Sequence, residues 1–191
     1  MSARVSFLSI VAVALGFGGI VRAQLAPPPV VGDILVDPKD ATPLEEVRKL
    51  VAAGRTKQAL AFADEQLAKN PRNAQMRFVR GVLLTDMNET AAARAVFQQL
   101  TEDFPELPEP YNNLAVLYAA DGQLDRARAA LELALLARPD YATAHENMGD
   151  VYLQMAAAAY QRAATLQPTN RAASSKLALT REMITKARSP R

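Results

Sequence analysis

The chain contains 191 residues, half of them apolar, with 22 basic and 20 acidic residues, one histidine and no cysteine. These counts exclude disulfide bonds, cysteine–histidine nucleophile pairs and zinc sites that need several cysteine or histidine ligands. With only 8 glycines and 12 prolines, the composition favours one α-helical domain with an appendage, and no cofactor is expected.

Residues 1–23 have the pattern of a secretory signal peptide. Arg4 precedes an uncharged run from Val5 to Val21, and the small residue Ala23 closes the segment. We expect cleavage after Ala23 and a periplasmic or secreted protein. The alternative is an uncleaved inner-membrane anchor, although a spanning helix needs about 20 apolar residues, more than this run provides. Cleavage removes two arginines, so the mature chain is near neutral, and neither nucleic acid nor membrane is an expected partner.

Residues 24–41 form a predicted proline-rich tether. Pro27, Pro28 and Pro29 favour an extended polyproline II conformation over a helix. The segment Val30–Val36 is apolar enough to contact a groove or a sheet edge. The alternative is a loosely packed leader.

The first helix is predicted to start with Thr42 as its N-cap and Pro43 at the first helical position. Glu45 lies three residues after the cap, where its side chain can return to the cap N–H. Gly54 ends this helix. A second helix ends at Asn70 and Pro71, and its apolar residues recur at three- and four-residue spacing: Ala59, Leu60, Ala63 and Leu67.

The strongest feature of the sequence is its 34-residue period. Pro71, Pro105 and Pro139 follow one another at that spacing. Three further series keep the same interval: Ala59, Ala93 and Ala127; Leu84, Tyr118 and Tyr152; Gly81, Ala115 and Gly149. These units resemble the tetratricopeptide repeat, a helix-turn-helix in which residues at these places interlock neighbouring hairpins.

The resemblance implies an all-α fold, a right-handed solenoid of helical hairpins, with Asn88 and Gly122 at the turns of repeats two and three. About three hairpins, a shortened fourth unit and a C-terminal capping helix are expected. The predicted units are 42–73, 74–107, 108–141 and 142–168, followed by the capping segment 169–188.

Repeat two departs from the family pattern at two positions. Arg77 and Arg80 occupy first-helix places that are usually apolar. We expect their aliphatic stems to cover apolar surface while their charged ends reach water, Asp64 or Glu65.

The fourth unit is five residues short, because Pro168 follows Pro139 too early to keep the repeat period. The loss falls at the turn, and residues 150–167 contain no glycine, proline, asparagine or serine. We predict one long helix over about 142–167 in place of a hairpin. The alternative is a hairpin with a kink near Met155.

A last helix is predicted over about 171–187, with Thr169 and Asn170 as its cap. Its Ala173, Leu177 and Ile184 face can seal the exposed end of the stack, as terminal caps do in solenoids.

Catalytic motifs are weak in this sequence, and we predict that the protein is not an enzyme. His145 and Glu146 begin like a zinc-protease motif, but no second histidine follows four residues later. A serine triad would also have to use His145, without a nucleophile elbow anywhere in the chain. We expect His145 to be packed or half-buried.

By resemblance to the family, the first helices should line a concave groove that binds a protein or peptide segment. The groove positions map to Gln75, Phe78, Val82 and Thr85 in repeat two, Glu109, Asn112, Asn113 and Val116 in repeat three, and Thr143, Glu146, Asn147 and Asp150 in unit four. Asn113 and Asn147 should stack, so that their amides hold the backbone of an extended peptide. The alternative is a set of ordinary solvated residues, with Asn112 and Asn113 capping or bridging.

The predicted groove lacks the lysines and arginine with which chaperone-tail-binding members of the family hold a terminal carboxylate. Its acidic residues favour a partner segment with apolar anchors and a basic residue. The predicted function is therefore a non-enzymatic interaction module that serves cell-envelope assembly. The alternative is a self-associating structural or accessory subunit of an envelope complex, a possible homo-oligomer.

Overall fold

The computed structural model describes residues 41–187, and within them the chain forms eight α-helices and no strand. The helices are α1 Ala41–Ala52, α2 Thr56–Lys69, α3 Ala74–Asp86, α4 Thr90–Asp103, α5 Pro108–Ala120, α6 Leu124–Ala137, α7 Ala142–Leu166 and α8 Arg171–Ala187. The predicted signal peptide 1–23, the tether up to residue 40 with its Val30–Val36 segment, and residues 188–191 lie outside the described part of the chain.

The first six helices pair into three hairpins, α1 with α2, α3 with α4 and α5 with α6. Each hairpin turns at a residue with positive φ: Gly54 at 72°, Asn88 at 62° and Gly122 at 74°. Glycine reaches this left-handed region without strain, and asparagine enters it more easily than other residues. The predicted turn positions are thereby confirmed.

The predicted start of α1 is wrong, because Ala41 and Thr42 are already helical and Pro43 is the third residue of the described helix. The first four N–H groups of a helix have no partner within the helix, so a proline at the third position removes no hydrogen bond.

The core follows the 34-residue period. Ala59, Ala93 and Ala127 are all fully buried, and each lets the two helices of its hairpin approach closely. The described core divides into two clusters, one around α1, α2 and α3 and one extending from α3 to α7. Leu60 packs against both clusters, so it joins repeat one to the rest of the array.

The predicted contact is confirmed for Arg80 with Asp64, whereas the partner of Arg77 is Asp103 and not one of the two predicted acids. The Nε of Arg80 donates a hydrogen bond of 2.6 Å to Asp64. Arg77 pairs with Asp103 at 2.6 Å, and its guanidinium lies 5.9 Å from the ring centre of Phe104. Both arginines therefore connect α3 to neighbouring second helices from the rim of the array.

Unit four is one continuous helix, as predicted. The 25 residues of α7 run from Ala142 to Leu166 without a break, and its C-cap is Gln167. Residues 150–167, where the turn would fall, contain no glycine or asparagine, and the unit lacks the five residues that a turn needs. The first half of α7 packs against α5 and α6, and α7 also packs against α8.

Helix α8 begins and packs as predicted. The Oδ1 of Asn170 accepts a hydrogen bond of 3.0 Å from the backbone N–H of Ala173. Ala173 and Leu177 are buried, whereas Ile184 is only partly buried. The Nζ of Lys176 lies 5.7 Å from the ring centre of Tyr160, and the Nη2 of Arg181 donates to Gln161, so α8 is fixed along the second half of α7.

The prediction of a packed or half-buried His145 is wrong, because this side chain is exposed. Its Nε2 lies 2.8 Å from the carbonyl oxygen of Pro139. Arg77, the counterpart of His145 two repeats earlier, meets Asp103 and Phe104 at the end of its own second helix. In unit four α7 runs straight on, so its second half does not return to cover His145 in the same way.

Candidate protein-binding surface

Helix α5 occupies the centre of the array, and eleven of its thirteen residues are buried. All four of its predicted groove residues are among them: Glu109, Asn112, Asn113 and Val116, which are between 1% and 6% exposed. The structure therefore places these side chains between helices. The predicted groove positions on the first two turns of α5 are therefore not accessible to a partner.

The carboxylate of Glu109 is held by an ion pair across repeat three. Arg138, the residue after α6, donates from Nη2 to Oε1 of Glu109 at 2.7 Å. Glu109 is 1% exposed, so this pair offsets part of the cost of burying its charge. The amide of Asn113 donates to the backbone oxygen of Glu109 at 2.9 Å, within the same helix.

Tyr141 completes this buried polar group. Burial raises the pKa of Tyr141 to about 12; the nearby Glu109 carboxylate adds to the rise, and Arg138 opposes it. The guanidinium of Arg138 lies 5.1 Å from the ring centre of Tyr141. The phenol is thus kept neutral beside a buried ion pair.

The predicted stacking of Asn113 on Asn147 is wrong. Asn147 instead donates from Nδ2 to Oδ1 of Asn112 at 2.8 Å, which links α7 to α5. Asn113 is turned away from this contact by its bond to the Glu109 backbone. A shift of one residue on a helix turns a side chain by about 100°, so spacing alone did not select the right asparagine.

The remaining predicted groove positions lie on either side of α5, in α3 of repeat two and α7 of unit four. In repeat two, Gln75 and Phe78 are buried, and the ring of Phe78 lies 5.7 Å from that of Phe97. In unit four, Glu146 and Asp150 are exposed. The other positions are partly buried: Val82, Thr85, Thr143 and Asn147.

An open cleft of about 490 Å³ lies where the predicted groove positions end. It begins at Ala119, which lies one full repeat period after Thr85, and it is closed on one side by Arg181 and Ile184 of α8. Its lining residues are Ala119, Ala120, Asp121, Gly122, Leu124, Gln154, Ala157, Arg181 and Ile184. Sequence reasoning missed this site because the path of α8 back along α7 has no marker in the repeat pattern.

One face of α7 leads into the cleft. Glu146, Asp150 and Gln154 recur at four-residue spacing and therefore share a side of the helix. Gln154 is part of the cleft wall. Two exposed carboxylates thus stand beside a mainly apolar opening.

Other kinds of site find no support among the described residues. No group of three or more histidine, aspartate or glutamate side chains is placed to hold a metal ion in residues 41–187. Within the same range, no helix combines the length and the apolar character that crossing a membrane requires.

Comparison with known proteins assigns the fold to a family. The tetratricopeptide repeat family model matches residues 50–112 and 84–148, which together cover slightly more than half of the chain. The chain belongs to the tetratricopeptide repeat family. The fold suggested by the 34-residue period is thereby confirmed.

Among curated proteins, the chain is similar to the tetratricopeptide repeat domain-containing protein PYG7, chloroplastic, of Arabidopsis thaliana. The two are 30% identical over 118 residues, which are 57% of this chain and 39% of PYG7. The match therefore spans well under half of the longer protein.

Two solved structures illustrate the shared fold. TTC0263, a thermophilic tetratricopeptide protein of Thermus thermophilus, is 24% identical with a TM-score of 0.55, over 74% of this chain and 80% of that one. The first tetratricopeptide domain of Spaghetti (RPAP3), bound to the HSP90 peptide SRMEEVD, is 16% identical with a TM-score of 0.56, over 62% of this chain and 94% of that one. At these identities the likeness establishes the fold alone.

Proposed function

We propose that the protein is a non-enzymatic interaction module that binds a segment of a partner protein on its concave side, next to α8. The observation that carries the proposal is the open cleft reached by the exposed face of α7. Spaghetti, a relative in fold, is solved with a peptide bound.

The chemistry of the cleft selects the kind of segment. Ala120, Leu124, Ala157 and Ile184 offer apolar contacts for an aliphatic side chain. The carboxylate of Glu146 is exposed on the approach to the cleft and favours a basic group. We therefore expect a segment with one apolar anchor in the cleft and a lysine or arginine near Glu146, about two turns of α7 away. An acidic tail such as SRMEEVD is not expected.

The predicted groove residues divide into two roles in this proposal. Glu146, Asn147, Asp150 and Val82 are accessible enough to touch a partner. Glu109, Asn112, Asn113, Val116 and Phe78 are buried and hold the helices that form the surface. Replacing a buried member should then change stability before it changes binding.

Site-specific photocrosslinking tests the proposal. A benzophenone side chain introduced at Gln154, in the cleft, should capture a partner from the cell envelope, whereas the same group at the exposed Gln99 on α4 should not. Glu146→Lys should reduce the capture at Gln154 without changing helicity. Equal capture at the two positions would contradict the proposed site.

We also propose that the protein works in envelope assembly after export. The support is the charged, apolar and small-residue order of residues 1–23, which is typical of a signal peptide. The mass of the protein recovered from cells should show Gln24 as the first residue. Recovery of the intact N-terminus in the membrane fraction would favour the anchored alternative.

A further inference from the structure

In each closed hairpin, two buried positions carry residues of complementary size. The first member lies near the middle of the first helix, and the second lies sixteen positions later on the returning helix. In repeats one, two and three the pairs are Val47 with Ala63, Gly81 with Phe97, and Ala115 with Leu131, and all six residues are buried. As one member shrinks, the other grows.

The pair in repeat two shows that the fit is tight. A Cβ atom placed on Gly81 would lie 2.6 Å from Cε1 of Phe97, closer than side chains normally approach. Glycine is thus required there by the aromatic ring on the second helix.

Unit four has residues of complementary size at the same two positions of the repeat. Gly149 stands at the first-helix position, and Tyr160, eight residues before Pro168, stands where Phe97 stands before Pro105. Ala156 and Ala163 keep the places of Ala93 and Leu100 on the same count. A glycine again matches an aromatic residue, although this unit forms no hairpin.

Within one chain the two positions are apart. Gly149 and Tyr160 are eleven residues apart on one straight helix, about 16 Å along its axis. A Cβ on Gly149 would meet nothing within 4 Å. Tyr152 is 52% exposed, whereas its counterparts Tyr118 and Leu84 are 6% exposed.

The second half of α7 is also incompletely covered. Ala156, Tyr160 and Ala163 remain only partly buried beside α8, whereas the corresponding residues of repeats two and three are fully buried: Ala93, Phe97, Leu100, Ala127, Leu131 and Ala134. In the described part of the chain, every large apolar side chain that is exposed lies on α6, α7 or α8. The uncovered apolar surface is therefore concentrated around unit four.

We propose that a second copy of this chain closes the unit. The two α7 helices cross antiparallel, so that Gly149 of one copy receives Tyr160 of the other, and the reverse contact forms at the same time. The twofold axis passes between Gln154 and Met155. Such an exchange of identical elements is a low-cost route to a symmetric dimer when a hinge is too short to turn back.

The exchange restores contacts that the closed repeats make within one chain. Helix α8 follows the second half of α7, because Lys176 and Arg181 tie it to Tyr160 and Gln161. The exposed ring of Tyr152 would then lie against the second half of α7 of the second copy. This inference does not depend on the proposed partner binding.

A double-cysteine variant tests the exchange, since the natural chain has no cysteine that could react. In the purified full-length protein, Gly149→Cys together with Tyr160→Cys should give a disulfide-linked dimer under mild oxidation. Neither single variant should form a disulfide-linked dimer under the same conditions, because positions 149 and 149, or 160 and 160, lie about 16 Å apart across the twofold axis. No crosslink, crosslinking by a single variant, or a disulfide within one chain would overturn the proposal.

An insertion provides the matched control. The five residues 122–126 of repeat three, Gly-Gln-Leu-Asp-Arg, are inserted between Met155 and Ala156 to restore the 34-residue period and a turn glycine. This variant should be monomeric in sedimentation at every concentration at which the parent is a dimer. When the two cysteines of the double variant are added to it, they should form a disulfide within one chain. A parent that stays monomeric, or an insertion variant that dimerises equally well, would contradict the exchange.

Discussion

Repeat two and unit four carry the same packing residues and have opposite structures. In repeat two, Gly81 and Phe97 meet across a hairpin. In unit four, Gly149 and Tyr160 lie on one helix with nothing against Gly149. The packing positions are thus insufficient to make a hairpin; a turn residue with positive φ, such as Asn88, and enough chain to reach back are also required.

Truncating the aromatic residue of each unit should give the largest difference. Phe97→Ala removes a fully buried ring and should lower the free energy of unfolding by about 3–5 kcal/mol. Tyr160→Ala, at a partly buried site, should cost less than about 1.5 kcal/mol in dilute solution. Urea unfolding followed by circular dichroism measures both. Equal losses would mean that unit four is packed like repeat two.

Repeat three contains an ion pair between the two ends of its hairpin, and unit four has no equivalent pair. Glu109 and Arg138 meet at 2.7 Å because the hairpin brings them together. Their counterparts Thr143 and Gln167 lie at opposite ends of α7. Arg138→Met leaves a buried carboxylate without its partner and should cost about 3 kcal/mol. Gln167→Met should change stability by less than about 0.5 kcal/mol.

The double variant Glu109→Gln with Arg138→Met controls for the lost arginine stem. It should recover part of the stability, because no unpaired charge stays buried. A single Arg138→Met variant as stable as the parent would contradict the importance of this pair.

The two glycines should respond to alanine with opposite signs. Gly81→Ala forces a methyl group against Phe97 and should destabilise the protein by about 1–3 kcal/mol. Gly149→Ala has open space and should stabilise α7 by up to about 1 kcal/mol in dilute solution. Thermal unfolding at low protein concentration gives the two signs. A destabilised Gly149→Ala monomer would show that this face is already covered within one chain.

The smallest expected effect is on the pH dependence of stability. The pKa of Tyr141 is raised from 10.0 to about 12 in the folded protein, so the neutral phenol favours folding. This contribution is complete below about pH 10 and is lost as the pH rises towards 12. The parent should therefore lose more unfolding free energy between pH 9.5 and pH 11.5 than Tyr141→Phe does. Parallel curves for the two proteins would contradict the assignment.

The fold could be read from the sequence to a large extent, for identifiable reasons. Residues that favour positive φ, at Gly54 and Gly122, mark the turns, and the absence of any such residue in 150–167 predicts the straight α7. These features act locally along the chain. The one error at a helix end, at Thr42, arises because a proline fits anywhere in the first turn.

The polar contacts of the predicted groove and the position of the cleft could not be predicted from the sequence in the same way. Asn113 and Asn112 differ by one position, yet only Asn112 reaches Asn147. The burial of Glu109 depends on Arg138, which lies at the far end of the hairpin in sequence, and the cleft depends on the path of α8. These properties come from contacts between helices and between repeats, for which a repeat pattern gives the packing positions and not the polar partners.

The central claim is that unit four forms one straight helix, and a distance within α7 tests it most directly. Spin labels at Glu146→Cys and Arg162→Cys, both at exposed positions, would be separated by sixteen residues of helix. In a large excess of unlabelled protein, so that only distances within one chain contribute, the straight helix predicts a separation of about 24 Å. A separation of about 10 Å, as between two packed helices, would show that unit four closes as a hairpin and would contradict the account.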